Sequence, residues 1–150
     1  MFRAARPEDF EAILHLYGQL LPADVRVDTG ADRAAFDRIL STEGLTLFVI
    51  DEDGQIIATT YLNVIPNITR SARPYAVIEN VVVEESLRGT GVGKEIMAST
   101  LQAAWDAGCY KAMLMTGSKR ESTLGFYRAC GFSQDEKTGF VAHPQGTVTL

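Results

Sequence analysis

The chain predicts an α/β (α+β) fold, a mixed sheet with helices on both faces, and three observations carry that expectation. Segments with helical apolar spacing interleave with β-branched runs in the order βα(α)βββαβαβ. Tyr75 to Val83 is almost continuously apolar, and its Ala76-Val77-Ile78 and Val81-Val82-Val83 triplets suit burial on both faces, which marks the centre of a sheet. Arg88-Gly89-Thr90-Gly91-Val92-Gly93 follows that strand closely and opens an amphipathic helix.

The elements follow in turn. Phe2 to Ala5 forms a short strand, and Pro7 suits the first turn of a helix on which Phe10, Ile13, Leu14, Tyr17, Leu20 and Leu21 recur until Pro22 stops it. A second helix runs from about Ala31 to Leu40, with Asp28 or Thr29 placed to cap its free amides and Phe36, Ile39 and Leu40 on one apolar face. Leu45 to Asp51 and Gln55 to Val64 read as antiparallel strands joined at Glu52-Asp53-Gly54, because glycine accepts the positive φ of a tight hairpin. Pro66 to Pro74 is polar and turn-prone. Beyond the central strand, Val92, Ile96, Met97, Leu101, Ala104 and Trp105 share a face of a helix from Gly91 to Ala107, which Gly108 terminates. A strand from about Tyr110 to Thr116, a helix from Ser122 to Ala129 closed by Cys130-Gly131-Phe132, and a last strand from Phe140 to Ala142 complete the order.

Composition bounds the function. With 150 residues, 46% hydrophobic and 22% charged, and with no repeat or long linker, the chain fits one domain spanning 1–150. Runs such as Leu45 to Ile50 fall short of the ~20 residues of a membrane span, and Arg3, Arg6, Glu8 and Asp9 stand where a signal peptide would be apolar, so a cytoplasmic protein with no membrane partner is expected. Cys109 and Cys130 lie in apolar or helical contexts without metal-ligand spacing, which reads as buried thiols in a reducing compartment and no metal. A net charge of −5 argues against nucleic acid, whose binding rests on accumulated Lys and Arg. Basic sites are therefore local, namely the Arg70/Arg73 and Lys119/Arg120 pairs.

Strand, glycine-rich loop and helix together form an anion site. Without Cβ atoms the loop lets a diphosphate approach the main chain, while the helix start adds about half a positive charge that Arg88 can reinforce. A nucleotide P-loop is excluded because Gly93-Lys94 is followed by Glu95, not by the magnesium-binding hydroxyl. A dinucleotide fold needs an acidic ribose-binding residue on the next strand, and Tyr110 to Thr116 has no carboxylate.

Arg88, Gly91 and Gly93 match the Gln/Arg-x-x-Gly-x-Gly/Ala signature of the GNAT acyltransferases, which the chain resembles over its whole length. Ile78-Glu79-Asn80-Val81-Val82-Val83, Gly108-Cys109-Tyr110-Lys111 and Gly125-Phe126-Tyr127 are similar to glucosamine-phosphate N-acetyltransferases and to unassigned bacterial members. The resemblance implies a mainly antiparallel sheet with splayed central strands, acetyl-CoA as co-substrate, and transfer of its acetyl group to a small-molecule amine by direct attack in a ternary complex. It implies that Val81, Val82 and Val83 pair with the pantetheine arm and that Gly89, Thr90, Gly91, Val92, Gly93 and Lys94, with Arg88, wrap the pyrophosphate. Many members dimerise, and the composition is compatible with a homodimer.

The chemistry assigns candidate roles. An attacking amine needs a free lone pair, donors for the developing oxyanion and a proton for the departing thiolate. Glu79 could take the ammonium proton, directly or through water, or could merely pair with an arginine. By period two Glu79, Val81 and Val83 share a face. The Val81 amide is the candidate oxyanion donor, provided that the strand carries a bulge, and Asn80 could orient the acceptor. Tyr127 matches the tyrosine that protonates the CoA sulfur in this family; the competing reading makes Phe126 and Tyr127 core aromatics. Arg120 could contact phosphates or an anionic acceptor, and Arg70 and Arg73 could select a phosphate or carboxylate on the acceptor, each set being otherwise solvated. The amine is not identified by any motif before Tyr75. A non-catalytic CoA-binding regulatory module and acetylation of a protein amine are the alternatives.

Overall fold

The computed structural model describes residues 1–145, in a first unit Met1–Leu114 that holds a five-stranded sheet and a second unit that begins at Met115. The sheet grows outward from one hairpin. Asp53 and Gly54 take φ of 52° and 88°, the pair of positive values that a two-residue turn needs, and the Asp51 carboxylate accepts from Gly54 N–H at 2.8 Å. That turn sets Leu45–Glu52 (β2) antiparallel to Gln55–Ile65 (β3). Phe2–Ala4 (β1) adds antiparallel to the outside of β2, Tyr75–Val83 (β4) adds antiparallel to β3, and Ala112–Met113 (β5) adds parallel to β4, giving the order β1-β2-β3-β4-β5.

Each face of the sheet is covered by helix. Phe10–Leu20 (α1) and Ala31–Ser41 (α2) bury Phe10, Ile13, Leu16 and Phe36 against Leu47, Val49, Ile56 and Val82. Neither Asp28 nor Thr29 is the N-cap of α2 as expected: Gly30 takes that place in a left-handed conformation, while Asp28 accepts from Gly30 N–H at 3.2 Å and Thr29 from Ala31 N–H at 3.4 Å in the turn just before the helix. On the other face Val92–Asp106 (α3) packs Ile96 against Ile50, Ile57 and Ala58. Thr60 and Thr100, both fully buried, share a hydrogen bond of 2.7 Å, and Thr100 also donates to Ile96 C=O. A buried hydroxyl pair is tolerated because each oxygen finds a partner.

Three sequence expectations are corrected here. Trp105 is 44% exposed, because Ile96, Thr100 and Ala104 form the buried stripe and Trp105 lies about 100° further round the helix. The strand expected over Tyr110 to Thr116 is paired only at Ala112 and Met113, opposite Ala76 and Val77; beyond them the ladder ends, which leaves the outer edge of β4 without a strand partner from Ile78 onward among the described residues. In the second unit, Phe140 to Ala142 forms no strand; Phe140 is 90% and Val141 71% exposed, so these side chains have no sheet to face.

The second unit is organised by Glu121–Ala129 (α4). Arg120 precedes it with its carbonyl accepting from Thr123 and Leu124, while Arg128 pairs with Glu121 and donates to Gln134 at 2.6 Å. Gly131, at φ 98°, turns the chain so that Phe132 N–H reaches Tyr127 C=O at 3.1 Å. No helix among the described residues is long and apolar enough to cross a membrane. Cys109 is buried, which pushes its thiol above the ordinary range and keeps it unreactive.

The first strand is fastened by charge. Arg3 reaches Asp9 at 2.7 Å and Asp51 at 2.9 Å, and Asp9, only 6% exposed, also accepts from Arg6 N–H at 2.7 Å. The Arg3 hydrogen bond is the main cause that holds both carboxyls below their ordinary pKa. Lowered carboxylates give stability that is complete above their unfolded values near ~4 and is lost as pH falls through the folded values. Asp9→Asn should therefore lower stability at pH 7 by about 2–3 kcal/mol and flatten the loss of stability below about pH 4, as read by denaturant unfolding across pH. An unchanged acid limb in the variant would contradict this assignment.

Candidate functional site

The register of β4 breaks where the sequence analysis required it to. Tyr61 faces Glu79 and Thr59 faces Val82, so Asn80 and Val81 together oppose Thr60. Asn80 takes φ 50°, in the left-handed region that asparagine enters more readily than other side-chain-bearing residues. Its side chain comes close to the Tyr17 hydroxyl of α1; burial pushes the Tyr17 pKa up to about 12, against the smaller lowering effect of Asn80. Asn80 is thus engaged with α1, a contact that its expected role at the acceptor did not anticipate.

The extra residue changes which side chains share a face. Cross-strand partners lie on the same face, so Glu79 goes with Tyr61, and Val82 with Thr59, toward α1. Val83, opposite Ala58, packs with Ile50, Ile57 and Ile96 beneath α3. The period-two expectation that Glu79, Val81 and Val83 share a face is therefore corrected: the bulge inverts the parity between Glu79 and Val83. Glu79 itself is exposed, and no cation pairs with it among the described residues.

The glycine loop follows four residues after β4. Arg88 is exposed and its Nε lies 3.4 Å from Val83 C=O. Gly89 and Gly91 adopt φ of 79° and 96°, which a side chain would strain, and no atom lies within 4 Å of where their Cβ would be. Gly91 is the N-cap of α3, and the first intrahelical bond runs from Glu95 N–H to Gly91 C=O at 3.1 Å. Val92, Gly93 and Lys94 therefore keep amides that no helical carbonyl can take. The Thr90 hydroxyl bonds Leu87 C=O and closes the turn. Backbone donors, the helix dipole, Arg88 and Lys94 together supply the chemistry with which a loop can hold an anion.

At the opposite end of β4 sits a second basic group. The guanidinium carbons of Arg70 and Arg73 lie 5.7 and 5.6 Å from the Tyr110 ring centroid, and Lys111 Nζ lies 5.3 Å from the same ring and 5.7 Å from that of Tyr75. Arg70, Ser71 and Ala72 hold this arrangement through a left-handed turn, with φ of 58°, 61° and 61°. No carboxylate pairs with the three cations among the described residues. The sequence offered Lys111 only within a motif and not as part of a basic site; its place beside Arg70 and Arg73 depends on the β4–β5 pairing.

In the second unit Tyr127 sits between two rings, 5.2 Å from Phe126 and 6.2 Å from Phe132, in edge-on contacts. Burial, with a smaller contribution from Cys130, raises its pKa, so the hydroxyl keeps its proton at neutral pH. Arg120 is exposed at the N-terminus of α4. No cluster of metal-ligating side chains occurs among the described residues.

Comparison with known proteins agrees with this geometry. The family model described as "Acetyltransferase (GNAT) family" matches residues 10–132. A glucosamine 6-phosphate N-acetyltransferase of Trypanosoma brucei brucei is 30% identical over 137 residues, covering 90% of each chain. The solved structure of a putative acetyltransferase from Agrobacterium tumefaciens superposes with a TM-score of 0.90 at 44% identity, over 96% of this chain and 99% of that one. An aminoglycoside N-acetyltransferase solved in complex with CoA shares the fold, with a TM-score of 0.75 at 20% identity over 96% of this chain and 99% of that one. With a family match over most of its length laid on a bulged β4 and a glycine-rich loop that opens α3, the chain belongs to the GNAT family of acetyltransferases.

Proposed function

We propose that this acetyltransferase takes its acetyl group from acetyl-CoA and passes it to the amine of a small molecule that also carries a phosphate, both substrates being bound at once. The observation that carries the donor reading is the sequence of features along one stretch of chain: an open β4 edge after the bulge, then three unsatisfied amides at the start of α3. Pantetheine is an amide chain and can add to the free edge at Val81 to Val83, while Gly89 to Lys94 and Arg88 take the diphosphate. The CoA complex of a protein with the same fold supports that choice of ligand.

Chemistry follows from the same residues. Glu79 takes a proton from the ammonium, directly or through water, and the freed lone pair attacks the thioester carbon. The Val81 amide, freed by the bulge, donates to the oxygen as its charge grows. As the new C–N bond is retained and the C–S bond breaks, Tyr127 gives the thiolate its proton, and the nitrogen loses its second proton to solvent. A hydroxyl whose pKa lies above the ordinary tyrosine value still protonates a leaving thiolate, provided that the transfer is concerted with C–S cleavage.

The acceptor's phosphate is supported by two independent facts. The Trypanosoma relative is named for a phosphorylated amino sugar, and Arg70, Arg73 and Lys111 converge without a counter-ion. Tyr75 and Glu79 are four residues apart, about 13 Å along a strand, so an acceptor that meets both ends is extended, with amine and anion at opposite ends.

These assignments give separate readouts. Tyr127→Phe should lower kcat by about 10²-fold with acetyl-CoA affinity unchanged, measured as free CoA release and by calorimetry; full turnover in the variant would remove Tyr127 from the chemistry. Gly91→Val should raise the acetyl-CoA Kd roughly tenfold or more, because a β-branched residue cannot hold that φ without strain. In a panel of amines with and without phosphate, Arg70→Ala/Arg73→Ala should raise KM for the phosphorylated acceptor about tenfold and leave kcat nearly intact. A panel in which phosphate makes no difference would refute the anionic acceptor.

A further inference from the structure

We infer that Gln19 is a positioning residue for the diphosphate loop: its side-chain amide ties the end of α1 to the point where β4 gives way to Arg88–Lys94. This rests on the donor reading above. Gln19 Oε1 accepts from Glu85 N–H at 2.9 Å, and Nε2 donates to the Glu84 carboxylate at 3.1 and 3.0 Å. A backbone N–H can only donate, so the Glu85 contact fixes which end of the amide is oxygen. The remaining Nε2 hydrogen faces His15 Nε2 at 3.1 Å, one helical turn back, where a ring lone pair accepts it. The amide's oxygen and both of its hydrogens are thus engaged.

Glu84 is the pivot of this contact. Its N–H donates to Ile57 C=O at 2.8 Å, its C=O accepts from Leu87 N–H at 2.8 Å, and its side chain is only 15% exposed. The residue is therefore fixed to the sheet through its N–H, to the loop through its C=O and to α1 through its carboxylate. Gln19 draws that negative charge to α1 through its Nε2 hydrogen. Left unheld, a carboxylate four residues ahead of Arg88 would repel a diphosphate and let the strand exit vary. Thr90 N–H and Arg88 N–H bond back to Leu87 and Glu85 at 3.3 and 3.4 Å, so the direction set at Glu84 and Glu85 is handed on to the glycines. The amide thus acts through the loop and does not itself touch the donor.

Gln19→Leu keeps much of the volume and removes every one of these bonds. In the ligand-free variant, hydrogen exchange should quicken about tenfold over residues 84–94 while the interior amides of β3 and α3 exchange as in the parent, and calorimetry should show the CoA Kd raised roughly tenfold. Gln19→Glu, which sets two carboxylates together, should do more. Unchanged exchange over 84–94, or exchange quickened equally across the sheet, would overturn the inference, the latter because a merely structural role destabilises the unit as a whole. A parent protein that gives no heat with CoA would sink the donor reading instead, and it would do so with the local exchange contrast intact, so the two failures are distinguishable.

Discussion

With Asn80 at φ 50°, β4 fits two residues against Thr60 alone, and much of the candidate site follows from that single insertion. Without it, Glu79 and Val83 would face the same side of the sheet. With it, Val82 enters the core under α1 while Val83 enters the core under α3, so both sides of the sheet grip the strand just past the irregularity. A left-handed residue bearing a side chain costs about 1 kcal/mol or more. The packing of Val82 and Val83 on opposite faces offsets that cost and holds the distortion in place.

The same strand feeds the anion site, and α1 holds it at two places. Tyr17 meets Asn80 in the bulge and Gln19 meets Glu84 and Glu85 at the exit, two residues apart on the helix and four to five apart on the strand and its exit. Rigid support of this kind matters because donors act well on a developing charge only when they need not reorganise to meet it. The buried Leu16, immediately before Tyr17 in sequence, anchors the helix to the sheet and supports both contacts.

Much of this was legible in the sequence. Tyr75 to Val83 announced itself by β-branched residues in succession, Asp53-Gly54 fixed the hairpin of β2 and β3 through backbone sterics, and the Arg88-Gly89-Thr90-Gly91 loop could be placed at a helix start because the spacing of Ile96, Met97 and Ala104 begins there. What stayed hidden depended on partners distant in the chain. Asparagine tolerates the left-handed region, but what puts Asn80 there is the register in which Asn80 and Val81 together oppose Thr60. Trp105 looked buried until Thr100, satisfied by Thr60, took its place in the stripe. The β5 ladder is short because β4 and β5 part after Val77 and Met113, a matter of sheet geometry and not of strand propensity, since Leu114 and Met115 suit a strand well. Arg3, Asp9 and Asp51 likewise form one network across 48 residues of sequence.

The relatives are acetyltransferases with different named acceptors, a phosphorylated amino sugar in one and an aminoglycoside in another, and what this chain shares with the aminoglycoside enzyme is the fold. The central claim is accordingly about the donor: main-chain amides at Val81 and from Gly89 to Lys94 receive acetyl-CoA. Amide proton and nitrogen resonances of the labelled protein, followed as CoA is added, report on those groups one by one. Selective downfield movement of the Gly89 to Lys94 amides, with smaller changes at Val81 to Val83, is the predicted result; saturable CoA binding that leaves all of them unmoved would contradict it.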